Sequence, residues 1–228
     1  MTFEALQKKI NVTFSNQELL KNAFFHRSYL NEAKHIQHSN ERLEFLGDSI
    51  LSFITSKFLY ETYPDYPEGT LTNIRSSLVK TKTLGETAQE LGFGELLFLS
   101  HGEEESGGRH NVSLLADSFE AFLGALCLDQ GINIAKTFLE TYLFPKTASI
   151  VEAKSYIDYK SLLQEIIQGE TKISPTYTVS NTEGPDHNRV FYIDAFIGTK
   201  KLGTGKGKSK QEGEQAAAQN ALEKIGKI

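Results

Sequence analysis

The sequence predicts an all-α helical bundle followed by a small α+β domain, and three observations support this division. Apolar residues recur at three- and four-residue steps through most of the first 146 residues, as in packed helices. From residue 157 onward the pattern follows the order α-β-β-β-α. Through Glu152 the chain has 20 acidic and 13 basic residues, and after it 9 acidic and 11 basic residues. We therefore expect domains at 1–146 and 157–228, joined by a linker at 147–156.

The composition is that of a folded protein without a membrane span. Hydrophobic residues make up 39% and aromatic residues 11% of the 228 positions, enough to build cores. The mean hydropathy of −0.33 argues against a membrane segment, and no basic head with an apolar run opens the chain. We expect a cytoplasmic location. The single cysteine, Cys127, excludes an intrachain disulfide and a thiolate-rich zinc site.

The stretch 40–49 places three carboxylates in an otherwise apolar helical pattern. Glu41, Glu44 and Asp48 fall at positions i, i+3 and i+7, which lie along one helical face. Glu44 and Asp48 are then about 6 Å apart along the helix axis, close enough to share one ion or one water. Because like charges at this spacing repel, a compensating cation or solvent is expected beside them.

A second helix, at 113–129, carries Asp117 and Glu120 one turn apart. Small residues of this helix permit close approach by a neighbour: Ala116, Ala121, Gly124 and Ala125. If the two acidic helices pack antiparallel, four carboxylates converge, and such all-oxygen ligation suits Mg²⁺ or Mn²⁺ better than zinc. Each acid pair could equally be an ordinary solvated helix face, so the spacing leaves both interpretations open.

The segments between these helices predict connectors. Pro64 and Pro67 end the first acidic helix in a turn-rich stretch, and one continuous helix is expected from there to Gly92. The segment 101–111 combines three consecutive acids with paired glycines, which predicts a mobile loop.

In the second domain, the sequence pattern predicts a helix at 159–168 and strands at 176–180, 189–197 and 200–206. A last helix is predicted from a Ser209 cap through Ile225. Five lysines without an intervening acid indicate an anionic partner such as a phosphate backbone: Lys200, Lys201, Lys206, Lys208 and Lys210. The run GTGKG lacks the spacing of a nucleotide-binding loop, so no nucleotide cofactor is expected.

Several motifs resemble those of one family. The run NERLEFLGDS closely resembles the signature of the bacterial-type ribonuclease III family, and LADSFEAFLGALCLD resembles the second acidic helix of that family. FFHRSYLNE and YPEGTLTNIRSSLV resemble its flanking motifs. The C-terminal part is similar to a double-stranded RNA-binding domain at YKSLLQEIIQ, PTYTV, GPDHNRVF and GTGKGKSKQEGEQAAAQNAL. The resemblance covers nearly the whole chain in the expected order.

The resemblance implies a role for each acid of the first domain. Glu44, Asp117 and Glu120 match the ligands of a Mg²⁺ ion, which Mn²⁺ could replace, and Asp48 matches the catalytic aspartate that holds the water network. Glu41 and Glu68 match acids that help to place the substrate in a valley between the two subunits of a homodimer. An apolar face around Phe45, Leu46 and Leu51 could serve as that interface or equally as core.

For the second domain, the resemblance implies contacts with double-stranded RNA. The corresponding positions are Ser161, Gln164, Glu165, Gln168, His187, Lys206, Lys208 and Lys210. The chain departs from the usual pattern at Gln211, where a second lysine is common, and at Gly213, where alanine is common. We expect the slope of log affinity against log salt concentration to fall by about one, and Gly213 to cost its helix about 1 kcal/mol.

In the first domain, His26 belongs to the matched motif FFHRSYLNE and is expected to be structural.

The function implied by the resemblance is hydrolysis of phosphodiester bonds in double-stranded RNA, with 5′-phosphate products and short 3′-overhangs. Such an enzyme would process ribosomal RNA precursors and other structured transcripts, including messenger and transfer RNAs. The alternative is a non-catalytic double-stranded RNA-binding regulator. A silenced protein of that kind would be expected to lack one or more of the four central acids, and here all four are present.

Overall fold

The structure is a computed structural model that describes residues 1–33, 36–185 and 188–228. The chain forms two compact units, Met1–Tyr156 and Ile157–Ile228. The first is helical and the second combines two helices with a three-stranded sheet, so the predicted fold class is confirmed. Among the described residues, no helix is both long and apolar enough to cross a membrane.

In the described part of the first unit, nine α-helices follow one another, with short 3-10 segments at Arg27–Asn31, Phe93–Glu95 and Gly108–His110. The helices are α1 (Phe3–Ile10), α2 (Gln17–Asn22), α3 (Glu41–Thr62), α4 (Glu68–Leu78), α5 (Thr81–Leu91), α6 (His101–Glu105), α7 (Val112–Gln130), α8 (Ile132–Tyr142) and α9 (Lys146–Glu152).

Helix α7 runs through the centre of this unit. Ten of its 19 residues are buried, because both α3 and α5 pack against it. Phe122 of α7 lies in a chain of ring contacts, with centroids 5.2 Å from both Phe93 and Phe138. Phe24 extends the chain at 5.1 Å from Phe93. Acidic side chains on such a helix are therefore held against a densely packed core.

The prediction of one continuous helix after Pro67 is wrong, since the chain forms two helices there. Val79 leaves the helical region, at φ −95° and ψ 5°, and Lys80 is extended, at φ −67° and ψ 148°. The Thr83 hydroxyl donates a 2.9 Å hydrogen bond to the Ser77 carbonyl across this break. Leu78 before the bend and Leu84 after it are both buried in the core.

The segment 101–111 is also more ordered than its composition predicts. It forms α6 and a 3-10 turn, and the Arg109 side chain ties that turn to the preceding segment. Its Nη1 donates 3.0 Å hydrogen bonds to the carbonyls of Gly94 and Leu97, and its Nε donates a 2.6 Å bond to Glu104. The arginine thus satisfies backbone acceptors that would otherwise remain unpaired.

The segment proposed as the linker, 147–156, begins inside α9 rather than in extended chain. The Thr147 side chain is only 2% exposed, and Ile150, Val151 and Tyr156 pack against the core of the first unit. The first compact unit accordingly continues to Tyr156.

The second unit consists of α10 (Tyr159–Thr171), β1 (Thr176–Glu183), β2 (Val190–Ile197), β3 (Lys200–Gly207) and α11 (Lys210–Lys224). The strands form an antiparallel sheet in the order β1-β2-β3. A bulge between Val179 and Asn181 shifts the register of β1 against β2. The α-β-β-β-α order predicted from the sequence is present, with β1 three residues longer than expected.

The glycines of β3 serve packing. A Cβ atom at Gly203 or Gly205 would overlap the backbone of Ala217 in α11, so their absence of side chains lets the helix lie directly on the strand. Gly213, at the start of α11, belongs to the same contact: an added Cβ would lie 2.6 Å from Cγ1 of the buried Ile193. Here glycine allows close packing that offsets the helix propensity it loses.

Candidate catalytic centre and RNA-binding face

The two acidic helices cross where glycines remove the side chains between them. A Cβ atom at Gly47 of α3 would overlap the carbonyl oxygen of Glu120, and one at Gly124 of α7 would overlap that of Leu43. The paired positions run in opposite directions along the two helices, so α3 and α7 are antiparallel. This packing is the condition under which four carboxylates were expected to converge. Sequence reasoning identified Gly124 but missed Gly47, whose signal is a glycine inside an apolar helical pattern.

The crossing brings both acid pairs to one side of the bundle at different depths. Glu44, Asp117 and Glu120 are half-buried, whereas Asp48 is exposed. Asp117 and Glu120 are interspersed with fully buried residues of α7, including Phe119. Three of the four carboxylates are therefore partly removed from water before any ligand is considered, which disfavours their charged forms.

The electrostatics show that the four carboxylates act on one another. Burial, followed by the charges of Asp48, Glu44 and Asp117, raises the pKa of Glu120 from 4.5 to about 8. Burial and the neighbouring charges of Asp117, Glu41 and Asp48 also raise the pKa of Glu44. The pKa of Asp117 is raised by burial. Without a positive partner, this cluster holds protons that isolated carboxylates would release.

The chemistry of the cluster fits a hard divalent cation. Its donors are carboxylate oxygens, the preferred ligands of Mg²⁺ and Mn²⁺, and a cation would relieve the repulsion that raises their pKa values. Across residues 1–33, 36–185 and 188–228, no three His, Cys, Asp or Glu side chains already form a closed set of metal ligands. Repulsion between like charges favours separated carboxylates, so we expect side-chain rotation on metal binding while the helix crossing stays in place.

The raised pKa of Glu120 predicts how stability varies with pH in the absence of divalent metal. Between about pH 4.5 and about pH 8 the unfolded chain has lost this proton and the folded chain retains it, so the free energy of unfolding should fall as pH rises. Below this window both states are protonated at Glu120, and above it both are ionised. Urea titrations in EDTA measure the slope, and Glu120→Gln should lack this component; an unchanged slope in that variant would contradict the assignment.

His26 lies near the acidic cluster, although its sequence motif suggested only a structural role. A protonated His26 ring opposes the rise in the pKa of Asp117. Its Nδ1 is 2.8 Å from the Ser28 hydroxyl and also accepts from the Ser28 N–H, capping the 3-10 segment. Ser28 in turn accepts a 3.0 Å bond from the Ser100 N–H. The expected structural role is thus present beside an electrostatic contact that the sequence did not indicate.

The two peripheral acids, Glu41 and Glu68, are both exposed. Glu41 accepts a 2.7 Å hydrogen bond from the Ser39 hydroxyl and contributes to the raised pKa of Glu44. Glu68 begins α4 and accepts a 2.9 Å bond from the Thr72 hydroxyl. Glu41 therefore belongs to the edge of the acidic cluster, whereas none of the interactions described for Glu68 joins it to that cluster.

One face of α10 presents polar side chains at positions i, i+3, i+4 and i+7. Ser161, Gln164 and Glu165 are exposed and Gln168 is half-buried. The Gln168 amide donates a 2.6 Å hydrogen bond to the Ser174 hydroxyl after the helix. The four predicted contact residues of α10 therefore share one surface, and the predicted contact His187 lies outside the described residues.

The three predicted phosphate-binding lysines surround the start of α11. Lys206, Lys208 and Lys210 are all exposed, and within the described residues none of them forms an ion pair with an acid of the chain. The Ser209 hydroxyl caps the helix by accepting a 3.1 Å bond from the Glu212 N–H. Uncompensated ammonium groups and a helix N-terminus together favour an anion here.

An exposed apolar strip runs along α3 of the first unit. Phe45, Phe53 and Tyr60 are 78%, 63% and 74% exposed and fall within an arc of about 80° around the helix. A shallow cavity of about 130 Å³ continues the strip from Phe53 to Ile132 of α8. Of the apolar residues predicted as interface or core, Leu51 is fully buried and Phe45 projects into solvent.

The fold and the two sites define a class of protein: a helical nuclease with an acidic centre, carrying an RNA-binding domain in the same chain. Residues 16–147 match the family model described as Ribonuclease-III-like, and residues 159–225 match the double-stranded RNA binding motif. The chain belongs to the ribonuclease III family, whose members are metal-dependent, double-strand-specific endoribonucleases. The resemblance seen in the sequence is confirmed.

Relatives support the assignment over nearly the full length. The chain is 47% identical over 227 residues to Ribonuclease 3 of Bacillus licheniformis, covering 99% of this chain and 90% of the relative. Identity to Ribonuclease 3 of a Roseiflexus species is 44%, covering 97% and 95%. The solved nuclease domain of ribonuclease III from Campylobacter jejuni is 32% identical, with a TM-score of 0.59, and the match covers 62% of this chain and 96% of that domain.

Proposed function

We propose that the chain hydrolyses double-stranded RNA at the acidic centre, with Glu44, Asp117 and Glu120 holding Mg²⁺. The antiparallel crossing of α3 and α7 at Gly47 and Gly124 carries this proposal, because it brings two acid pairs onto one side of the bundle. The pKa values of Glu44 and Glu120, both raised by burial and by neighbouring carboxylates, support a site that receives positive charge. Mn²⁺, which accepts the same oxygen donors, is proposed as a substitute.

When bound, the ion would polarise a phosphoryl oxygen, lower the pKa of a bound water and stabilise the leaving oxygen. The half-buried carboxylates of Glu44, Asp117 and Glu120 would hold it. Asp48 is exposed, and its charge raises the pKa of Glu120. In this proposal it would accept hydrogen bonds from the attacking water and orient it. Hydrolysis joins the water oxygen to phosphorus and breaks the bond to the 3′-oxygen, leaving 5′-phosphate ends.

We propose that the RNA-binding residues contact two parts of one A-form duplex, the minor groove and the phosphates. Ser161, Gln164, Glu165 and Gln168 share the surface of α10 that would enter the minor groove, where 2′-hydroxyls are displayed. The exposed lysines around the start of α11 would contact phosphates: Lys206, Lys208 and Lys210. His187, which lies between β1 and β2 in the sequence, is proposed to contact a neighbouring minor groove.

A homodimer is proposed through the apolar strip of α3. Exposed aromatic side chains of this size, arranged contiguously, mark an interaction surface. The solved Campylobacter domain is described as having a region involved in dimer formation. Phe45 is adjacent to the ligand Glu44, so a partner subunit packed there would border the centre. In such a dimer Glu41 and Glu68 would help to position the substrate, and each subunit would cut one strand and leave short 3′-overhangs.

In the cell, we place the protein in the cytoplasm, where it would process ribosomal RNA precursors and structured messenger and transfer RNA transcripts. The family match and the relatives named Ribonuclease 3 support the RNA-processing role. The division at 1–146, 147–156 and 157–228 stays a proposal, and α9 overlaps the segment assigned to the linker.

The direct test incubates an end-labelled RNA duplex with the full chain in Mg²⁺, in Mn²⁺ or in EDTA. Cleavage into fragments with 5′-phosphates and short 3′-overhangs is expected with either metal ion and not in EDTA, and a DNA duplex of the same sequence should stay intact. Electrophoresis separates the fragments, and phosphatase sensitivity identifies their ends. Binding of the RNA without metal-dependent cutting would instead favour a non-catalytic regulator.

A further inference from the structure

The start of α10 contains a hydrogen-bonded arrangement that determines how Ser161 can face a ligand. Asp158 caps the helix: its Oδ1 accepts a 3.1 Å bond from the Ser161 N–H. The second carboxylate oxygen, Oδ2, lies 2.8 Å from the Ser161 hydroxyl. The same side chain therefore contacts Ser161 twice, once at the backbone and once at the hydroxyl.

The direction of the hydroxyl bond follows from the chemistry of its partner. An ionised carboxylate only accepts hydrogen bonds, so the Ser161 hydroxyl must donate its one proton to Asp158. Two lone pairs then remain on the serine oxygen, and Ser161 is exposed to solvent. Toward any ligand on this face of α10, Ser161 can act only as an acceptor.

Contacts with α11 hold Asp158 in its ionised form and in place. Gln215 of α11 donates a 2.7 Å bond from Nε2 to the same Oδ1. Burial raises the pKa of Asp158, but the bonds from Gln215 and Ser161 outweigh it and leave the pKa below its ordinary value. Beside it, Lys160 and Glu214 form a 2.6 Å ion pair that joins α10 to α11 a second time.

A neighbouring residue on the same face of α10 is also a hydrogen-bond acceptor. Glu165 follows Ser161 by one helical turn, and its carboxylate is exposed. Two successive acceptors thus face outward along the helix. The 2′-hydroxyl of RNA is a donor that DNA lacks, and it is the group by which a protein distinguishes the two at a given position.

We infer that Asp158 is a specificity-determining positioning residue, which fixes the Ser161 hydroxyl as an acceptor for a 2′-hydroxyl donor of double-stranded RNA. The inference rests on the proposed RNA-binding role of α10. It assigns selectivity to a residue that does not itself contact the ligand. A side chain at position 158 that donates a hydrogen bond, instead of only accepting one, should therefore change the preference for a 2′-hydroxyl sugar. The helix cap would remain.

The test compares binding of the full chain, in EDTA, to a fully 2′-hydroxyl RNA duplex and to the same duplex with 2′-fluoro sugars. Fluorine keeps the A-form sugar pucker but cannot donate a hydrogen bond. Asp158→Asn is nearly isosteric: its amide oxygen can still accept from the Ser161 N–H and Gln215, while its NH₂ group now donates to the Ser161 oxygen. The serine proton then points outward, and the preference for the hydroxyl duplex should fall about fivefold, the equivalent of one net hydrogen bond.

Three further variants test whether the effect acts through the Ser161 hydroxyl. Ser161→Ala should lower the preference by a similar factor, and the double variant Asp158→Asn with Ser161→Ala should lower it no further, because both changes act through one hydroxyl. Gln219→Ala removes a 3.3 Å bond to Glu223 within α11 and no described contact of Asp158 or Ser161, so it should keep the native preference. Thermal unfolding of each variant separates selectivity from folding.

The inference is overturned if Asp158→Asn retains the native preference, or if Ser161→Ala does. A purely structural cap predicts that first result, since its backbone bond survives the substitution. Failure of the proposed function looks different: the unsubstituted chain would then not bind the 2′-hydroxyl duplex at all.

Discussion

Replacing Gly47 by alanine is expected to lower the free energy of unfolding by more than about 3 kcal/mol and to abolish RNA cleavage. The new Cβ atom would overlap the carbonyl oxygen of Glu120, which belongs to the backbone and cannot move by changing a rotamer. Relief requires α3 and α7 to separate along the contact that aligns the acid pairs. Urea denaturation followed by circular dichroism measures the stability, and the duplex assay measures the activity.

The matched control is Gly69→Ala in α4 of the same unit. Apart from the chain neighbours and the backbone of α4 itself, no heavy atom lies within 4 Å of the Cβ position at Gly69. Alanine there should therefore leave stability unchanged or slightly higher and leave cleavage intact. If Gly47→Ala unfolded at the same urea concentration as the unsubstituted chain, the close helix crossing would not be the feature that builds the site.

Replacing Glu120 by glutamine is expected to reduce cleavage by at least about 100-fold, since even partners outside the ligand set of metal sites can cost that much. Duplex binding should stay nearly unchanged, because the residues proposed for RNA contact lie in the second unit. Without metal, the variant should be more stable than the unsubstituted chain near pH 8, because the amide removes one of four mutually repelling charges. Single-turnover cleavage and urea denaturation in EDTA measure the two effects.

Glu86→Gln provides the control for Glu120→Gln. Glu86 is an exposed acid of α5 that pairs with Lys82 at 3.9 Å, so its neutralisation should change neither cleavage nor the pH dependence of stability. Cleavage by Glu120→Gln at the native rate would remove Glu120 from the proposed metal site.

Local patterns predicted most helices and strands because each depends on nearby residues. The period of apolar positions identified α3 and α7, alternation identified the first two strands, and a glycine-rich stretch indicated the third. The Ser209 cap is observed where it was expected. The same reasoning joined α4 to α5, because Val79 and Lys80 interrupt the helix without a glycine or proline to signal it. It also predicted a mobile loop at 101–111, where Arg109 bonds to carbonyls more than ten residues earlier in the chain.

The acids of the candidate site were visible in the sequence, and their order along two helices was enough to suggest oxygen ligands for a divalent cation. Their convergence depends on Gly47 and Gly124, which act only when the two helices meet. Burial and mutual repulsion then raise the pKa of Glu120 to about 8, a property of neither helix alone. The sequence alone determines the helices and the acidic groups they carry, because both follow from local spacing. The raised pKa values depend on the distances between carboxylates of two helices, and only the packing of remote segments sets those distances.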